Sequence, residues 1–295
     1  MDKQSSNMNI IVCAKSVPDS GTIRYDIRTN SLVNIQHILN PIDEISTSEA
    51  IKIRDKYGGS ITAITLGPSH AAEQLRSCLK MGVDNAIHIC DPSFDNVDVQ
   101  TTAYILAKQI EKLPYDIILC GNESMDEGNG FAGIGIAEIL DLPLVTSVTR
   151  IDIFPDTHSA TVHRRLRGGD REIIETPCPA VLTIDSVLGK PIYPRLRTIL
   201  AGLKKDIATV DAKSLGIDLN NIDKVSEIGE ITQQKPRLKK TASIDTSLSA
   251  SERMKLIISG GVSDKSTKVI VKPAPESASE IVQFLINNGI VSSNT

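Results

Sequence analysis

Residues 117–135 read Ile117-Ile118-Leu119-Cys120-Gly121-Asn122-Glu123-Ser124-Met125-Asp126-Glu127-Gly128-Asn129-Gly130-Phe131-Ala132-Gly133-Ile134-Gly135. An apolar run gives way to a loop crowded with small and acidic residues, and a helical pattern then continues to about Leu140. Backbone N–H groups at a helix start lack intrahelical partners and, with the helix dipole, favour an anion, so such a loop is where a phosphate would sit. The stretch reads equally as a βα turn that uses glycine for its backbone freedom. Taken alone it leaves both open.

Working outward, Asn9 to Ala14 (NIIVCA) is continuously apolar, the mark of a strand buried on both faces of a parallel sheet. Ile61 to Leu66, Asn85 to Cys90 and Asp116 to Cys120 repeat the pattern. Between them, Asn40 as N-cap, Pro41 at the first helical position and the early acids Asp43 and Glu44 predict a helix over Pro41–Tyr57, stopped by Gly58-Gly59. Ala71 to Met81 and Val99 to Glu111 are the next helices. Strands alternating with helices at ~30-residue spacing mean βαβ units, right-handed crossovers and a doubly wound, mostly parallel α/β sheet. In such sheets ligands bind beyond the carboxyl ends of the strands. Those ends are Cys13-Ala14-Lys15, Leu66-Gly67-Pro68 and Gly121 to Ala132, with Asn40-Pro41-Ile42-Asp43 entering the next helix. Four separate pieces of sequence converge on one crevice, which favours the nucleotide reading.

Beyond Pro143 the pattern changes to short segments, Val145–Ile153, Ala160–Leu166, Arg171–Glu175 and Ala180–Ile184, which predict an antiparallel extension of the sheet. Ile23–Asp26 and Ser31–Val33 predict a rim hairpin. From Lys190 to Asp206 the chain is basic, with Leu196, Ile199, Leu200 and Leu203 at helical spacing: either a surface helix packing its leucines inward or an exposed docking element. Residues 207–272 are polar and read as an extended arm that wraps a partner chain. Ser277 to Asn288 closes the sequence as an amphipathic helix. The domains expected are a nucleotide-binding α/β domain over 1–206 and an arm with a terminal helix over 207–295.

The 295 residues are 40% hydrophobic and 23% charged but only 3% aromatic, with no Trp, so the core must be aliphatic. A net charge of −4 leaves no electrostatic footprint for nucleic acid. Five scattered cysteines without a CxxC pair fit a reducing compartment. No run approaches the ~18 apolar residues of a membrane span, and the polar start lacks a targeting pattern, so a cytoplasmic protein is expected. No HExxH, GxSxG or metal-ligand spacing occurs, so no catalytic or metal-binding set is predicted. Ser259-Gly260-Gly261 superficially resembles a pyrophosphate-holding loop, but too little chain follows it for the α/β domain such a loop opens. Chemistry carried by a bound cofactor fits best.

Ile10–Pro18 (IIVCAKSVP) with Asp19, Asn40-Pro41 with Asp43-Glu44, Ile64–Pro68 (ITLGP), Arg76–Gly82 (RSCLKMG) with Asp84, and Asp116–Gly121 with the Asp126 loop together resemble the β subunit of electron-transferring flavoproteins. The resemblance runs in order over residues 8 to 205. It implies the α/β sheet of the adenine-nucleotide α-hydrolase-like (HUP) type and a heterodimer with an α subunit that carries its own FAD. It also implies a nucleotide buried by the β subunit: AMP in simple carriers, a second FAD in electron-bifurcating members. Positions matching the family's nucleotide site are Cys13, Asn40 to Asp43, Leu66 and Gly121 to Ala132. Leu196 matches the leucine with which the family docks acyl-CoA dehydrogenases or similar partners. The crossover Asp91–Ala103, with Phe94, Asp98 and Thr101, resembles bifurcating members, so FAD is the expected tenant. NADH and ferredoxin would then be redox partners alongside a flavin dehydrogenase. The alternatives are an AMP-binding carrier and a stand-alone adenine-nucleotide-binding or adenylating protein. The loop departs from the family at Gly128, which replaces an acid, and at Phe131, which replaces a Gln.

Overall fold

The computed structural model describes residues 7–26, 28, 31–33, 35–95, 97–217, 248–258 and 272–287. The chain runs β1 (Met8–Cys13), β2 (Ser16–Pro18), β3 (Arg24–Asp26), β4 (Ser31–Val33), β5 (His37–Leu39), α1 (Pro41–Tyr57), β6 (Gly59–Leu66), α2 (Ala72–Met81), β7 (Asn85–Ile89), α3 (Val99–Ile110), β8 (Ile117–Gly121) and α4 (Ala132–Ile139). It continues through β9 (Leu144–Phe154), β10 (Ser159–Arg165), β11 (Arg171–Pro177), β12 (Ala180–Ile184), α5 (Leu196–Lys204), β13 (Ala208–Val210) and α6 (Ala212–Leu215).

Nine strands form one sheet in the order β11-β10-β9-β12-β8-β1-β6-β7-β13. From β9 to β13 all neighbours are parallel, while β10 and β11 extend the edge antiparallel. The apolar strands follow from burial on both faces. Ile10 and Val12 join α1 and α2 residues such as Ile51, Leu75 and Leu79 in one core, whereas Ile11 and Cys13 join Ile105, Ile110 and Ile136 of α3 and α4 in another. Two helices per face make the sheet doubly wound. Because β1 is followed in space by β6 on one side and by β8 on the other, strand order reverses between β1 and β8. That is the switch point at which this architecture opens a crevice.

The core helices and strands lie where the residue pattern puts them, with bounds shifted by a residue or two. Three features differ, and one choice left open, the face of α5, is decided. The pair β2 and β5, too short to show a period, aligns Ser16 with Leu39 and brings the start of α1 over the end of β1, where Asn40 N–H donates to the Lys15 carbonyl at 3.0 Å. The chain expected to leave as an arm at Ile207 first adds β13 beside β7 and then α6, because Ala208-Thr209-Val210 needs only one neighbour to complete its ladder at an edge. In α5 the leucines do not pack inward. Gly202 seats the helix on α2, an added Cβ there lying 2.3 Å from the Leu79 carbonyl oxygen, and Leu196, Leu200 and Leu203 are left 70%, 52% and 52% exposed. Last, Ala250–Ile258 forms a helix (α7) inside the stretch read as arm.

The chain divides into units 1–229 and 230–295. The second holds α7 and α8 (Ala274–Asn287), and the α8 residues Ile281, Val282 and Phe284 are exposed. Most of the predicted arm, and Ser259-Gly260-Gly261, lie outside the described residues.

Candidate functional site

The crevice at the β1/β8 switch point is built by side chains from the start of α1. Asn40 holds the N-cap position but makes no side-chain cap bond. Its amide instead crosses to the loop after β8, where Nδ2 donates to the Glu123 carbonyl at 3.0 Å and Oδ1 accepts the Met125 N–H at 3.1 Å. Asp43, 4% exposed, accepts the Lys15 N–H at 2.8 Å and hydrogen-bonds the Gly121 backbone. Burial pushes its carboxyl up to about 7, against the pull of those N–H groups, the Asn40 amide and the Lys15 charge. Gly121 is required here: an added Cβ would lie 2.2 Å from Asp43 Oδ1.

Lys15 then spans the mouth. Its Nζ lies 2.9 Å from Asp126 Oδ1, 3.0 Å from Glu127 Oε2 and 3.4 Å from Ser124 Oγ. Although burial opposes it, hydrogen bonds from Ser124 and Lys15 hold the Asp126 carboxyl below its usual range. The loop is further shaped by Gly128 and Gly130, both with positive φ, and by the Gly128 N–H donating to the Ser124 carbonyl at 3.0 Å. At its end α4 starts without a side-chain cap. Phe131 folds back over Gly135, an added Cβ on which would sit 2.8 Å from the ring, so the first-turn N–H groups have no side chain of their own to satisfy them. A helix start in that condition leaves its backbone donors to water or to an anion.

At the ends of β1 and β8 these bonds join Lys15, Asn40 and Asp43 to Glu123, Ser124, Met125, Asp126 and Glu127; Ala14 N–H donates to the Ile64 carbonyl at 2.8 Å, Cys13 is buried in the core shared with α3 and α4, Pro41 and Ile42 open α1, and residues 128–131 lead into α4 (Ala132–Ile139). Leu66 and Gly67 stand at the end of β6, the next strand along; Gly67 N–H donates to the Ile89 carbonyl, and its own carbonyl meets His88 Nε2 at 2.9 Å. Asp98 and Thr101 are engaged together, the Asp98 carboxylate capping α3 by accepting the Thr101 N–H at 2.7 Å. Phe94 is buried in the core shared by α3 and α4. Under the crevice, contact with the Cys13 thiol and burial hold the Cys120 thiol well above its ordinary range, so it is an inert hydrophobe. Among the described residues no cluster of His, Cys, Asp or Glu is arranged to hold a metal ion.

Two contributors escaped the sequence reading. Thr183 Oγ1 donates to Asn122 Oδ1 at 3.1 Å and accepts the Ser147 N–H at 3.2 Å, while Ser147 Oγ reaches the same Asn122 oxygen at 3.4 Å. Thr183 is the one hydroxyl in the otherwise aliphatic strand β12, a visible signal; Ser147, at φ 55° where β9 shifts register against β12, carries none. A separate cleft of about 580 Å³ opens at the amino ends of the strands, lined by Asn9, Ser60, Asn85 and Asp206.

The electron transfer flavoprotein domain matches residues 32–215. The chain is 40% identical over 218 residues to an electron transfer flavoprotein subunit beta of Thermoanaerobacterium thermosaccharolyticum, covering 73% of this chain and 83% of the relative. It is 31% identical to Protein FixA of Azotobacter vinelandii (81% and 89% covered) and 34% identical to the caffeyl-CoA reductase-Etf complex subunit CarD of Acetobacterium woodii (71% and 80%). With the doubly wound sheet and its switch-point crevice in place, the chain belongs to the electron transfer flavoprotein family, as a relative of its β subunits.

Proposed function

We propose that the chain acts as the β subunit of a heterodimer, with FAD held in the β1/β8 crevice and a further FAD carried by the α subunit. The observation that carries this is the uncapped start of α4 at the switch point. The donor set fits a nucleotide in parts. Lys15 is met by two carboxylates, so the outer loop carries a net negative charge and suits ribose hydroxyls at Asp126 and Glu127. Phosphate oxygens are left to the N–H groups of residues 131–134. Asn122, fixed by Thr183 and Ser147, supplies a polar wall. When bound, the flavin supplies the ability to accept two electrons together and pass them on singly. The protein's part is to grip, orient and shield it.

Electrons enter from NADH and leave to a low-potential acceptor such as ferredoxin and, through the α subunit, to a flavin dehydrogenase. The exposed row Leu196, Leu200 and Leu203 is where that dehydrogenase docks. The similarity to CarD, a subunit of a caffeyl-CoA reductase-Etf complex, supports an oxidoreductase of CoA thioesters as the partner. Co-purification with the α subunit, followed by nucleotide extraction, tests the reading. Two FAD per heterodimer support it, one FAD with one AMP overturns FAD in the β crevice, and a colourless monomer that hydrolyses ATP overturns the redox role.

A further inference from the structure

Helix α5 carries the exposed leucines, yet its own chain closes neither of its ends. Arg195 at its start makes no side-chain cap bond, and the chain leaves at Lys205 in an extended conformation (φ −71°, ψ 141°) rather than in the left-handed turn that commonly satisfies the last carbonyls. Those carbonyls are met from another helix. Arg76, on α2, donates from Nη1 to the Gly202 carbonyl at 2.9 Å and to the Lys205 carbonyl, and approaches the Leu203 carbonyl at 3.5 Å. Among the described residues no carboxylate pairs with Arg76, so its charge is spent on the oxygens at the negative end of the α5 dipole.

We propose that Arg76 is a positioning residue for partner docking: from α2 it fixes the last turn of α5, so that Leu200 and Leu203 are presented together with Leu196 to the dehydrogenase. The proposal rests on the docking reading of α5 given above. A helix of nine residues does not hold its shape alone and depends on what it leans against. In α5 the one buried residue is Gly202, which brings no side chain to the contact with α2, so apolar burial does little to fix the helix. The guanidinium of Arg76 supplies the missing hold at that same end, as a permanently charged donor. Lys205 adds a tie through Nζ to the Val83 carbonyl at 2.8 Å, but that bond holds the chain after the helix rather than the turn bearing Leu203.

The test compares wild type, Arg76→Ala, Arg76→Lys and Leu196→Ala, each as the full chain co-purified with the α subunit, with an acyl-CoA dehydrogenase of the same organism as the probe. Two quantities are read: KM and kcat for electron transfer between heterodimer and dehydrogenase, and amide hydrogen exchange over residues 199–204. Arg76→Ala is expected to raise KM about three- to tenfold at unchanged kcat and flavin content, because apparent affinity falls with the fraction of molecules in the competent arrangement. Exchange of the α5 amides should quicken in the same variant. Arg76→Lys returns a cation to the same helix end and should recover most of both effects. Faster exchange at an unchanged KM would leave Arg76 a structural cap and overturn the proposal; a raised KM at unchanged exchange would make it a direct contact, which overturns it equally. Should Arg76→Ala not fold, Arg76→Met, which keeps the apolar stem and drops the charge, is judged by the same outcomes. Leu196→Ala with a wild-type KM overturns the docking reading itself, independently of Arg76.

Discussion

Gly121→Ala isolates the contact on which the crevice is organised. Gly121 is a strand residue outside the left-handed region, so alanine meets no backbone penalty there. Its only new atom falls 2.2 Å from Asp43 Oδ1 and 3.3 Å from Asn40 Nδ2. Overpacking of this kind costs about 1–3 kcal/mol. Displacing the carboxylate from a backbone donor costs a further ~1–3 kcal/mol, because a buried charge loses a partner. At ~2–4 °C per kcal/mol for a domain of this size, the total lowers the melting temperature by at least ~4 °C. Asp43→Ala supplies the control by removing the obstructing atoms. In that background Gly121→Ala should be neutral, or stabilising by ~0.4–1 kcal/mol through the unfolded chain. Urea unfolding of the wild type, both single variants and the double variant gives a coupling energy, expected at about 2 kcal/mol or more. Additive costs would refute the contact as the reason for glycine.

Three other outcomes are expected. Asp43 lowers stability as pH rises: its folded value of about 7 lies above the unfolded 3.8, so the folded chain keeps a proton that the unfolded chain releases between those values. The stability contribution is therefore present below about pH 4, declines through the window to pH 7 and is gone above it, a change of about 4 kcal/mol at ~1.36 kcal/mol per unit. Urea midpoints at low and neutral pH should show this slope in the wild type and its loss in Asp43→Asn; an unchanged slope in the variant counts against it. Lys15→Ala removes partly exposed ion pairs and should cost under ~1 kcal/mol, yet quicken proteolysis of residues 122–131; unaltered cleavage would mean the Lys15 bridge does not hold the loop. Leu196→Ala should change stability by less than ~0.5 kcal/mol and slow electron transfer to the dehydrogenase at constant flavin content, whereas loss of flavin would exclude docking as its role.

A residue that costs stability and is held by the backbone of a binding crevice fits the usual trade between function and folding. The sequence marked Asp43 as an acid in the first turn of a helix, which is correct as far as local chemistry goes. Its part in joining β1 to β8 depends on two strands that are neighbours in space but separated by about a hundred residues. Asn40 shows the same division: its place at the N-cap was legible, but its amide serves the loop at Glu123 and Met125. The crossover residues Phe94, Asp98 and Thr101 are matched to a flavin seat by family likeness alone; the fold adds that Phe94 is buried in the core shared by α3 and α4 and that Asp98 caps α3 at Thr101.

The sequence by itself determined the doubly wound sheet, because strands buried on both faces must be continuously apolar, while helix starts and stops are local matters of Asn, Pro and Gly. It also placed the carboxyl ends of β1, β6 and β8, since strand ends follow from strand pattern. Only the tertiary structure decided which side chains turn into that crevice, and which way α5 presents its leucines. The periodicity of α5 defines a face but not its direction; that was set by Gly202, the one residue small enough to let the helix rest on the backbone of α2.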